Sequence, residues 1–122
     1  MKRSDVGTLG ESIAADYLTR RGYAIRERNF RTREGEIDII AEKDGTLVFI
    51  EVRTRRSRAC GTAEESVTRR KKERLVALAE AYMEGRDGLP QSWRIDVVAL
   101  EMDANGKPSR IELFENATDW GM

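Results

Sequence analysis

Residues 35–55 read GEIDIIAEKDGTLVFIEVRTR, and this stretch decides the fold. Glu36–Ala41 (EIDIIA) and Leu47–Val52 (LVFIEV) are rich in β-branched and apolar residues, the composition of a strand. Between them, EKDGT contains Asp44-Gly45, a dipeptide that accepts the positive φ angles of a two-residue hairpin turn. The two segments are therefore expected to pair as neighbouring antiparallel strands. Each carries one acid in an apolar interior, Asp38 and Glu51. An unpaired buried charge is expensive, so both acids require a partner, either a cation or a basic side chain. Side chains alternate along a strand with period two, which places Arg53 on the same face as Glu51.

Working toward the N-terminus, Arg31–Gly35 reads as a turn and Tyr23–Phe30 as a short edge strand. Before them, Leu9, Ile13, Ala14, Tyr17 and Leu18 recur at three- and four-residue spacing from Thr8 to Arg21, and Gly22 follows as a stop. This predicts an amphipathic helix. Glu11 stands three residues before Ala14 and seven before Leu18, beside the inward stripe.

Toward the C-terminus, Arg53–Gly61 is polar and reads as a loop. A helix is expected next, capped by Thr62 with Glu65 or by Ser66 alone and running to about Glu84. Its apolar stripe would be Val67, Leu75, Leu78, Ala79 and Tyr82, with Gly85 and Gly88 ending it. Lys71 lies four residues from both Val67 and Leu75, so it falls on that stripe. Trp93–Leu100 and Arg110–Phe114 read as further strands, with Asn105-Gly106 in the turn between them. The order is αβββαββ, an α/β arrangement in which helices flank a mixed central sheet. A length of 122 residues with 39% hydrophobic content suits a single domain spanning 1–122.

Composition narrows the chemistry. Histidine is absent and Cys60 is the single cysteine, which excludes histidine-activated nucleophiles, an intramolecular disulfide and multi-cysteine zinc sites. Carboxylates with lysine and arginine remain. Carboxylates are hard oxygen ligands, so any catalytic metal is expected to be magnesium or manganese. No stretch approaches the roughly 18 apolar residues of a membrane span, and no apolar signal region follows the basic start. A cytoplasmic protein without membrane contact is the expectation.

The zero net charge conceals segregation: residues 1–52, 53–74 and 75–122 carry −1, +6 and −5. The central segment supplies Arg55, Arg56, Arg58, Arg69, Arg70, Lys72 and Arg74, a footprint suited to phosphate contacts along a nucleic acid. The plainer alternatives are a solvated charged surface and, for the acids, buried salt bridges to arginine.

The segment 35–55 resembles the core motif of PD-(D/E)xK nucleases, in the form seen in the uncharacterised bacterial YraN-like family. The likeness extends to GESIAADYLTRRGYAIRERNFR at 10–31, SVTRRKKERL at 66–75 and RIDVVAL at 94–100. The resemblance implies a restriction endonuclease-like core, similar also to Holliday-junction resolvases. It further implies a Mg2+- or Mn2+-dependent endonuclease acting on DNA in repair or recombination, with branched DNA as one substrate and a homodimer as the assembly a resolvase needs. By that likeness Asp38 and Glu51 correspond to the metal-ligating acids and Arg53 to the motif lysine. Glu11 corresponds to the acid on the first helix, and Lys71 to a basic residue on the helix after the motif; all five would be catalytic. Two positions depart from the pattern: Ile37 replaces proline, and Arg53 replaces a lysine that could hold or deprotonate water. Arginine stays protonated and can only orient or neutralise. Two rival readings stay open: a non-catalytic nucleic-acid-binding module with the same fold, and a protein-interaction domain whose basic segment docks an acidic partner.

Overall fold

The hairpin forms as its sequence predicts. In the computed structural model, which describes residues 3–57, 59 and 61–117 (side chains from residue 6), β2 (Gly35–Lys43) and β3 (Thr46–Arg55) pair antiparallel from Lys43↔Thr46 to Ile39↔Ile50. Asp44 and Gly45 turn the chain with φ of 49° and 77°. Both positive values suit the turn whose twist matches the strands it joins.

Among the described residues the order is α1 (Arg3–Arg20), β1 (Ala24–Thr32), β2, β3, a single 3-10 turn (Glu64–Ser66), α2 (Arg69–Met83), β4 (Ser92–Met102) and β5 (Pro108–Phe114). The five strands make one sheet in sequential order, β1-β2-β3-β4-β5. Only β3 and β4 run parallel, from Thr46↔Ser92 to Arg55↔Glu101. Parallel neighbours need a crossover, which the 3-10 turn and α2 supply.

Each helix covers one face. Ala14 and Leu18 of α1 pack with Ile39, Ala41, Val48, Ile50 and Val98. Leu75, Leu78, Ala79 and Tyr82 of α2 pack on Ile37, Ile40, Leu47, Phe49 and Ile95. Residues 47–50 are consequently apolar without alternation, because both faces of β3 are covered.

Three sequence expectations need correction. Thr62 and Glu65 do form the reciprocal cap (Thr62 N–H to Glu65 Oε1 2.8 Å, Glu65 N–H to Thr62 Oγ1 3.3 Å), but it opens only the 3-10 turn. The chain then extends at Val67, and α2 starts afresh at Arg69 with Thr68 Oγ1 accepting from the Lys71 N–H at 3.2 Å. Lys72, expected to face solvent, is buried with 6% exposure, because it stands three residues before Leu75 and seven before Ala79 and so falls on the inward face with them. The loop expected from Arg53 begins three residues later, at Arg56, since β3 keeps its pairing with β4 through Arg55. Arg58 and Cys60 lie outside the described residues.

Candidate active site

The pleat of β2 breaks at Asp38. Ile37 packs under α2, whereas Ile39, two residues on, packs under α1, although residues two apart should share a face. The β2–β3 ladder stops at Ile39↔Ile50, and there the Asp38 side chain takes over: its Oδ2 accepts the Val52 N–H at 2.8 Å. Opposite it in β1, Asn29 sits between the pairs Arg28↔Ile39 and Phe30↔Ile37 at φ +56°. Two irregularities facing one another thus turn Asp38 out of regular alternation.

Glu11 reaches the same place from α1. The helix lies so close to β3 at this level that a Cβ on Gly10 would overlap Thr54 Oγ1. Glu36 arrives from the start of β2. One carboxylate oxygen from each of Glu11, Glu36 and Asp38 lies within 4.8 Å of the others. Burial, then Asp38 and Glu36, raise the pKa of Glu11, with Arg28 and Arg31 opposing. Asp38 is raised far above the aspartate range, by burial first and then by the Glu51 carboxylate beside it. These are acids gathered beyond what local positive charge compensates. Hard oxygen donors in such a cluster fit a magnesium or manganese ion.

Glu51 and Lys71 open on an adjoining cleft with Glu36 and Arg74, whereas Glu11, Asp38 and Arg53 line a larger one of about 520 Å³. Arg53 stands at the boundary. Its Nη1 is 3.5 Å from Glu51 Oε2, and its Nε donates to Ser66 Oγ at 2.9 Å. Ser66 in turn donates to the Ala63 carbonyl at 2.5 Å, which anchors Arg53 to the 3-10 turn. Lys71, half-buried at the first turn of α2, has a lowered pKa through burial and then Arg53, with Glu51 acting against them.

The model of the family described as "Uncharacterised protein family UPF0102" matches residues 10–100, three quarters of the chain and the whole span from Glu11 to β4. The chain belongs to this family. It is similar to the UPF0102 protein of Roseiflexus castenholzii, 49% identical over 120 residues covering 97% of this chain and 96% of that protein. The UPF0102 protein STH1475 of Symbiobacterium thermophilum is 47% identical over 112 residues, covering 92% and 94%. That of Pelotomaculum thermopropionicum is 42% identical over 115 residues, covering 94% and 96%.

In this UPF0102 chain the five residues singled out by sequence, Glu11, Asp38, Glu51, Arg53 and Lys71, all line the two adjoining clefts. They do not form one shell: the three-oxygen cluster takes Glu36 in place of Glu51. Sequence reasoning missed Glu36, although its position two residues before Asp38 was a usable signal. Of the basic segment, Arg55 and Arg56 line the larger cleft, Arg74 lines the smaller, and Arg69, Arg70 and Arg74 are exposed. Lys72, being buried, does not extend that surface. No helix of the described residues is long and apolar enough to cross a membrane.

Proposed function

We propose that this UPF0102 protein is a cytoplasmic DNA-binding protein that hydrolyses phosphodiester bonds with a magnesium or manganese ion. The observation that carries the reading is the convergence of Glu11, Glu36 and Asp38 oxygens within 4.8 Å, with Glu11 and Asp38 lining the same cleft as Arg53, Arg55 and Arg56. Acids that repel one another close to clustered arginines suit a site that takes a cation and a phosphate together.

Glu11, Glu36 and Asp38 would hold the ion, with Glu51 close enough to Asp38 to join them. The ion, when bound, supplies a lowered water pKa and neutralises charge on the phosphoryl group being transferred. Arg53, pinned by Ser66 and Glu51, presents a fixed guanidinium to a phosphate oxygen without giving up a proton. Lys71 adds positive charge from the smaller cleft, which it lines with Glu36 and Glu51. Arg55, Arg56, Arg69, Arg70 and Arg74 would grip the backbone, which gives affinity with little base preference.

One observation favours a second reading, a nucleic-acid-binding module without cleavage: Arg53 stands in the position of the motif lysine and is already engaged by Glu51 and Ser66. Incubating the protein with end-labelled junction, duplex and single-stranded DNA, with and without Mn2+, separates the two. Mn2+-dependent cleavage lost in Asp38→Asn supports the nuclease. Mobility shifts with no cleavage leave only the module, and neither cleavage nor shift rejects both.

A further inference from the structure

Asn29 occupies a backbone conformation that strands do not ordinarily contain. At φ +56° it lies in the left-handed region, which asparagine enters several times more readily than most residues and which a β-branched residue rarely tolerates. Its place in the sheet is directly across from the break in β2, between Arg28↔Ile39 and Phe30↔Ile37. In the amide orientation that satisfies both of its polar atoms, Nδ2 donates to Glu11 Oε1 at 2.7 Å and to Glu36 Oε1 at 3.0 Å. A single neutral amide thus joins a carboxylate from α1 to one from β2.

Glu36 is held at both oxygens, Oε1 by Asn29 and Oε2 by Arg31 Nε at 2.5 Å. Glu11 sits between opposing influences, repelled by Asp38 and Glu36 and attracted by Arg28 and Arg31. Without a donor between them, two like charges at this separation swing apart, and the exposed arginines of β1 draw Glu11 outward. The amide sets the distance between the two acids without adding a charge that would compete with a cation.

We propose that Asn29 is a positioning residue that holds Glu11 and Glu36 together so that, with Asp38, they receive a divalent cation. This inference rests on the metal-centre reading above and adds to it a residue that touches neither metal nor substrate. Hydrogen-bond partners of metal ligands typically contribute 10- to 100-fold to metal affinity. Asn29 is exposed and water can replace part of its role, which places its effect near the lower figure, about 10-fold.

The test uses Asn29→Gly, which keeps the left-handed backbone and removes only the amide. Mn2+ titration by calorimetry should give saturable binding in the parent and about 10-fold weaker binding in the variant, with the metal-free melting temperature unchanged. Electron paramagnetic resonance of the bound Mn2+ should change as well, a signature that a purely structural asparagine would leave alone. Equal affinity and an identical spectrum overturn the assignment of Asn29 while leaving the metal centre standing. No binding by the parent overturns both. Asn29→Asp guards against a variant that fails to fold, since aspartate also tolerates this backbone but sets a fourth carboxylate against Glu11 and Glu36. The electron paramagnetic resonance spectrum of its bound Mn2+ should differ from the parent's, because the donor between Glu11 and Glu36 is lost; an identical spectrum overturns the proposal.

Discussion

The Val52 N–H donates to the Asp38 carboxylate at 2.8 Å, where the β2–β3 ladder has just ended at Ile39↔Ile50. A side chain here does work that a strand carbonyl does elsewhere. The bond fixes Asp38 to the central strand and places it beside Glu51 at the same time. Asparagine can accept the same bond through its Oδ1 while removing one of the clustered charges.

Asp38→Asn and Glu51→Gln should therefore abolish cleavage and leave the domain folded, with metal-free melting temperatures equal to or above the parent's. Asp96 is the contrasting case. It is fully buried but accepts from Tyr23 Oη at 3.0 Å, Arg94 Nε at 3.0 Å and the Asn116 N–H at 2.9 Å, so its charge is compensated by the protein itself. Asp96→Ala strands Arg94 and should cost about 3–5 kcal/mol, read as a large fall in urea midpoint.

Stability without metal should decline as pH rises. Burial and Glu51 raise the pKa of Asp38 in the folded state, so above the ordinary aspartate value of about 4 the folded protein binds more protons than the unfolded chain. The contribution is unfavourable through the interval from that value up to the raised one. Melting curves at pH 5 and pH 8 should show the loss, and Mn2+ should reduce it by stabilising the ionised form. A metal-independent profile across that interval counts against the cluster.

The approach of α1 to β3 depends on Gly10. Gly10→Ala pushes a methyl into Thr54 Oγ1 and should cost about 1–3 kcal/mol while displacing the neighbouring Glu11. Thr54→Ala in the same chain removes the obstructing hydroxyl and should recover both stability and Mn2+ affinity. Loss of affinity that persists in the double variant would place the effect of Gly10 elsewhere.

Nucleic-acid affinity should rest on the arginines around the clefts. Arg55→Ala, Arg56→Ala and Arg70→Ala together should weaken binding similarly for unrelated sequences and flatten the log K against log salt slope by roughly one unit per lost phosphate contact. Lys72→Ala should leave that slope unchanged, since the side chain is buried. Binding measured between low and moderate salt checks both.

The parts of this fold that were legible in the sequence are those carried by local pattern. The hairpin at Asp44-Gly45, the inward stripe of α1 with Glu11 beside it, and the nearness of Asp38 to Glu51 follow from periodicity and turn chemistry alone. What escaped depends on departures from periodicity. Asn29 takes a positive φ within a strand, where asparagine's tolerance of that region does not mark the position in advance, and the break it faces turns Asp38 from its regular face. Thr62 and Glu65 form a genuine cap, but Val67 then interrupts the helix, and the sequence has no marker for a restart at Arg69 beyond Thr68 itself. The parallel pairing of β3 with β4 joins segments more than forty residues apart and leaves no local trace.

Whether Glu11, Glu36 and Asp38 form a divalent-cation centre is decided by titrating Mn2+ into the metal-free protein at neutral pH by calorimetry. Binding should be saturable and stoichiometric and should disappear in Asp38→Asn, a variant that melts no lower than the parent. Absence of saturable binding by the parent, or equal binding by a folded Asp38→Asn, would contradict it.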